Sequence, residues 1–238
     1  MTAPTRRRLA VLLGCAIIPL TATATATAAS AAVAPAPNGN AVPVLDPADG
    51  KVAVVASSAP ASGTVAVVVQ NGTARPVRRV RVSAIATSAD GGLATRGATV
   101  GVVPSTLAPG ATALGVVHFR HRRVPTGATI TFRVRSARSQ SADAPTALGT
   151  GDFVLSPPQA GKVAQTLSMT LTNAGTRTVV GPLDVVVVCF DEASRPAVGT
   201  DVELSAARVR AGHTRPVEVD LRSLCPTYLT AARGASAR

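Results

Sequence analysis

The sequence predicts an all-β protein, two antiparallel β-sandwiches in tandem after a signal peptide. Short Val- and Thr-containing runs alternate apolar with polar residues and are separated by Gly, Pro and Asn turns, as half-buried strands are. No convincing amphipathic helix interrupts them. The stretch Gly63 to Gly92, GTVAVVVQNGTARPVRRVRVSAIATSADGG, is echoed by Gln165 to Arg195, QTLSMTLTNAGTRTVVGPLDVVVVCFDEASR; each is a β-type run, a polar turn and a second β-type run. The 238 residues suffice for two ordinary domains.

The N-terminus reads as an export signal. Arg6, Arg7 and Arg8 form a basic start, Leu9 to Leu20 an apolar core, and Ala29-Ser30-Ala31 a small-residue cleavage pattern. Thr5-Arg6-Arg7-Arg8-Leu9 also resembles a twin-arginine signal, which leaves the export route open. Leu12-Leu13-Gly14-Cys15 resembles a lipobox and makes a lipid anchor at Cys15 the alternative to full release. The predicted location is secreted or cell-envelope associated. The predicted order is signal peptide 1–31, Pro/Ala-rich spacer 32–50, basic sandwich 51–140, linker 141–150, second sandwich 151–228 and disordered tail 229–238.

Within the first sandwich, Val52 to Val55 and Val65 to Val69 are short β-rich runs. Val77 to Ile85 alternates, with Val80, Val82 and Ala84 on one face and Arg79, Arg81 and Ser83 on the other. Ala98 to Val103 is a further run, Pro109-Gly110 a turn, and Leu114 to Phe119 and Ile130 to Val134 close the unit. In the second, Leu183 to Phe190 is apolar at nearly every position, which predicts burial on both faces or a packed contact between domains. Val202 to Val209 and Pro216 to Leu221 follow.

Four Phe, one Tyr and no Trp leave the core to small β-branched side chains. Cys189 and Cys225 remain once the signal is gone, and an even pair in an exported protein reads as a disulfide, with two free thiols as the other possibility.

The repeat carries a resemblance. Asn71 pairs with Asn173, Arg75 with Arg177, Val77 with Val179 and Gly110 with Gly212 at one offset, while Asp90 and Asp191 miss it by one residue. With Val187-Val188-Cys189-Phe190-Asp191, the second unit resembles the FxLYD-type immunoglobulin-like domains of bacterial exported proteins. The first keeps the Asp90-Gly91 end of that motif. The resemblance covers most of residues 50 to 228 and implies two immunoglobulin-like sandwiches, with no activity attached.

Catalytic patterns are wanting. His118 and His121 lie three apart on a strand and point to opposite faces, so they do not share a metal, and His213 stands alone. Asp191 and Glu192 belong to a turn. The chain therefore reads as a non-enzymatic structural or interaction protein, with neither cofactor nor metal.

Charge is the feature that stands out. Lys and Arg number 24 against 12 Asp and Glu, net +12. Between Lys51 and Gln140 twelve basic residues face one acid, Asp90, whereas Gly151 to Arg238 holds nine basic and eight acidic residues. Arginine-favouring codon usage loads both halves alike, so the asymmetry points to a basic face. Its predicted members are Arg79, Arg81, Arg120, Arg133 and Arg135. An anionic envelope polymer, an anionic lipid or an acidic protein suits it. Nucleic acid is the weaker target for want of aromatic side chains to stack bases.

Overall fold

Alternating Val, Ala and Thr runs form strands wherever Gly, Pro or Asn lets the chain turn, and the result, a computed structural model, describes residues 35–120, 123–137, 146–157 and 164–237. The signal peptide, the lipid-anchor site Cys15, His121 and the linker's first half, 141–145, lie outside these. The strands are β1 (Asn38–Gly39), β2 (Val52–Ser57), β3 (Thr64–Asn71), β4 (Val77–Thr87), β5 (Leu93–Ala98), β6 (Thr106–Leu107), β7 (Thr112–Phe119) and β8 (Thr129–Ala137). The second half holds β9 (Thr146–Leu155), β10 (Gln165–Thr172), β11 (Val179–Phe190), β12 (Pro196–Leu204), β13 (Arg208–Val209), β14 (Thr214–Leu221) and β15 (Thr227–Ser236). The described residues contain no helix, and so none long and apolar enough to cross a membrane.

Two antiparallel sheets result. One runs β2-β3-β7-β5-β4-β6 with β8 on β4, the other β12-β11-β15-β9-β10-β14 with β13 on β11 and β1 on β15. Each folds over at a narrow joint. In the first, β5 meets β7 only through Gly97 with Phe119 and Ala98 with His118; in the second, β15 meets β9 only over Ala232 to Gly234. Each sheet thereby makes two layers around its own core, a sandwich-like arrangement. The first core holds Val65, Val67 and Val69 of β3, Val82 and Ala84 of β4, and Phe119 of β7. The second holds Leu167, Met169 and Leu171 of β10, Val185 and Val187 of β11, and Val219 of β14.

A third core joins the sheets. Ala66 and Val68 of β3 and Leu114 and Val116 of β7 pack against Val186, Val188 and Phe190 of β11 and Leu229 and Ala231 of β15. Successive strand residues face opposite ways, so these strands are buried on both sides where they cross this contact and are largely apolar there. This resolves the Leu183 to Phe190 run as a packed contact, and explains the uninterrupted Val65 to Val69 as its counterpart.

The repeat is a repeat of hydrogen bonds. The buried Asn71 amide donates to the carbonyls of Arg75 at 2.8 Å and Leu107 at 3.0 Å; Asn173 donates to Arg177 at 2.8 Å and Val209 at 3.0 Å. The Gly110 N–H donates to Asn71 O at 2.7 Å and the Gly212 N–H to Asn173 O at 2.8 Å. Both glycines take left-handed backbone, φ 75° and 70°, which side chains resist. Each Asn ties a strand end to the turn that follows it and to a buried carbonyl of a short strand, Leu107 of β6 or Val209 of β13.

Other expectations are corrected. Asp90 is not the counterpart of Asp191. The Ser88 N–H donates to Gly92 O and the Gly91 N–H to Ser88 O, as Asp191 does with Arg195 and Ser194, all at 2.9 Å. Ser88 thus holds the Asp191 position. The shift arises because β11 has twelve residues to the eleven of β4, with register breaks between Val180 and Asp184 and between Arg78 and Arg81. The run expected at Ala98 to Val103 is instead Leu93–Ala98.

The expected tail 229–238 is mostly β15, an inner strand paired with β11 and β9. Its Ala and Gly residues resemble low complexity, but small side chains are what fits between two cores. The second unit begins at Thr146 rather than Gly151. The spacer is no free tether from residue 38 on: Asn38 and Gly39 pair with Thr230 and Leu229, the Tyr228 N–H donates to Asn40 Oδ1 at 2.8 Å, and Ala48 is buried. A two-residue pairing has no periodicity for the sequence to reveal. The predicted disulfide is formed, Cys189 to Cys225, closing 36 residues, and the loop-entropy model assigns such a bridge about 3 to 4 kcal/mol.

Two outcomes follow. Asn71→Ala and Asn173→Ala should each cost roughly 2 to 4 kcal/mol in denaturant unfolding, because each removes a buried amide with several bonds, one of them to the buried Leu107 or Val209 carbonyl; wild-type stability in either would refute the equivalence. A chain ending at Pro226 should lose its cooperative thermal transition, whereas removal of a disordered tail would be silent.

Candidate functional site

Strand alternation in β4, β5 and β8 sends one set of side chains inward and the other to an exposed outer face. Across the β4–β8 ladder Arg81 stands opposite Arg135 and Ser83 opposite Arg133, while β5 sets Arg96 opposite Ile85. A groove of about 550 Å³ on this face is lined by Arg96, Arg120, Arg133 and Arg135 with Ile85 and His118. No carboxylate lines it. Four of the five predicted arginines, Arg81, Arg120, Arg133 and Arg135, therefore lie on or beside one face.

Arg79 departs from them. It sits in the β4 register break with φ 51°, a left-handed conformation unusual for a side chain larger than Asn. The bulge re-phases the strand, so that Val77 and Val80 are both buried although three apart. Arg79 lines the cleft between the sheets, about 430 Å³, together with Arg81, Asp184 and Arg233. Arg96 is the member that sequence reasoning missed; placing β5 at Leu93–Ala98 would have found it by alternation.

The acid nearest this face in sequence is Asp90, in the β4–β5 turn. Hydrogen bonds from the Ser88 hydroxyl and the Gly92 N–H hold its carboxyl below the usual carboxylate range. It serves the turn.

Two polar side-chain contacts cross between the sheets, and an ion pair within the second sheet holds one of them. Arg233 of β15 is 9% exposed; its Nε and Nη2 each lie 2.7 Å from Asp184 Oδ2, and its Nη1 donates to Val102 O of the first sheet at 3.2 Å. Gly101 makes room, since a Cβ there would lie 2.6 Å from that Nη1. His118 Nε2 at the end of β7 lies 2.8 Å from Asp201 Oδ2 of β12. Asp191 and His213 stand at opposite ends of the second sandwich: Asp191 follows the end of β11, and His213 accepts from Asn173 near its start. Among the described residues no group of three His, Cys, Asp or Glu is placed to hold a metal ion.

No protein-family model matches this chain, and no curated protein matches it. Among solved structures, one described as "A Structural Element that Modulates Proton-Coupled Electron Transfer in Oxalate Decarboxylase" aligns over 84% of this chain and 77% of that chain, at 8% identity and a TM-score of 0.19. That likeness is too slight to carry an argument. The fold and the face define an all-β protein of two packed antiparallel sheets with a carboxylate-free arginine groove on one outer layer.

The Arg233 contact can be tested directly. Asp184→Ala leaves a largely buried guanidinium without its counter-charge and should cost roughly 2 to 3 kcal/mol, a value at the low end because Asp184 is partly exposed. Denaturant unfolding checks it, and the Asp184→Ala, Arg233→Met double variant should regain part of the loss.

Proposed function

We propose that the chain is an exported, non-enzymatic interaction protein of a bacterial cell envelope or extracellular space, built from two immunoglobulin-like sandwiches of the FxLYD type, and that it binds an anionic envelope polymer through the outer face of its first half. One observation carries the binding: Arg96, Arg120, Arg133 and Arg135 converge on a groove that no carboxylate lines. Guanidinium groups suit polymer phosphates because each planar fork can engage two oxygens. Confinement of the excess charge to residues 51–140 supports the reading over uniform codon usage. The Cys189–Cys225 bridge fits an oxidising compartment, and the basic and apolar start of the chain supports export.

The chain from residue 32 onward should be retained by a poly(glycerol phosphate) matrix at low salt and released as salt rises, since exposed charges are screened over about 8 Å at physiological ionic strength. Exposed pairs contribute about 0.2 to 1 kcal/mol each, so Arg96→Ser, Arg133→Ser and Arg135→Ser together should weaken binding on the order of tenfold with an unchanged circular dichroism spectrum. Absence of low-salt retention, or equal binding by the triple variant, would sink the proposal. Stronger retention by anionic vesicles than by the polymer would replace the polymer with a lipid surface.

A further inference from the structure

A pocket of about 500 Å³ opens where the two sheets meet beyond the arginine groove. The hairpin tip Ser62-Gly63, the end of β7, His118 and Phe119, and Arg120 just after it form one side; Gly199 to Asp201 of β12 and Arg222, just after β14, form the other. Its walls are fixed by packing. Gly199 presses so closely on the first sheet that a Cβ there would lie 2.9 Å from the Ala66 Cβ and 3.0 Å from Val116 Cγ2. The one carboxylate that lines the pocket, Asp201, is already engaged by His118 at 2.8 Å. Among the described residues neither Arg120 nor Arg222 forms an ion pair. Two guanidinium groups, one from each half of the chain, thus line one pocket without a carboxylate of their own.

We infer that this pocket binds a phosphoryl group borne on a small organic body. A planar fork on each side matches phosphate oxygens, and the Ser62 and Thr200 hydroxyls supply further donors. The volume exceeds that of bare phosphate and falls within the range of small-molecule sites, so it accommodates a phosphate ester. The site stands apart from polymer binding by the groove: Arg120 borders both, but Arg222 belongs to the pocket alone.

Calorimetric titration of the chain from residue 32 onward with glycerol 3-phosphate, inorganic phosphate and lactate tests this. Glycerol 3-phosphate should bind saturably at one site per chain, phosphate more weakly, and lactate least. Arg222→Ser should weaken glycerol 3-phosphate about tenfold, the scale of a lost charge-assisted contact. Asp201→Asn, which removes the opposing carboxylate, should tighten it. Arg133→Ser with Arg135→Ser should leave it unchanged while weakening the polymer, which separates this site from the outer face. Non-saturable binding, indifference to Arg222→Ser, or a loss with Arg133→Ser and Arg135→Ser equal to that with Arg222→Ser overturns the assignment. Lactate binding as tight as glycerol 3-phosphate overturns the phosphoryl selectivity.

Discussion

Contact between the outer faces of β3 and β7 and those of β11 and β15 is the constraint on which the rest of the molecule depends. It turns two sandwich-like sheets into a stack whose facing layers are shielded from water over most of the contact. Three consequences share that cause: Val65 to Val69 and Val185 to Phe190 are apolar without interruption, the middle of β15 carries Ala231 and Ala232, and Ala41, Leu45 and Ala48 pack against the body. The middle core is made from Ala, Val and Leu with a single Phe, so each contact is small and the contact as a whole depends on area.

Around this core the two halves use one device to close their ends. Asn71 and Asn173 replace what would be exposed or unsatisfied carbonyls with the same pair of bonds, and the left-handed glycines 110 and 212 return the chain to them. The halves diverge where they meet solvent or each other. β4 carries a bulge with Arg79 where β11 carries Gly181-Pro182, and Arg96 of β5, opposite Ile85, takes the place that Gly199 of β12, opposite Val188, holds where that strand presses on the first sheet and leaves no room for a side chain. Chemistry has accumulated on the outward layer of the first half and at the seam.

At the seam, polar side chains reach across the apolar contact where geometry gives them partners. Arg233 is held by Asp184 and by the Val102 carbonyl, and His118 by Asp201, so the two sheets are joined by directional contacts at the margins of a non-directional core. Such margins fix orientation more than they add stability, because partly exposed pairs gain little net energy.

The strands that alternate strongly, such as Val77 to Thr87, the Asn and Gly equivalences, the Cys189–Cys225 pair and the arginine asymmetry were legible in the sequence, because alternation, turn chemistry, cysteine parity and charge are local properties. The double-sided burial of Leu183 to Phe190 was legible as a pattern, but its partner was not, since no local signal says which apolar face meets which. Only the tertiary structure decided that residues 227 to 236 form an inner strand, that Ser88 takes the place expected of Asp90, that Arg79 leaves the face while Arg96 joins it, and that Arg120 and Arg222 line one pocket. A one-residue bulge re-phases every side chain beyond it, and small residues carry no periodicity strong enough to announce a strand. Pairing between distant strands settles both, and it is invisible until the chain is folded.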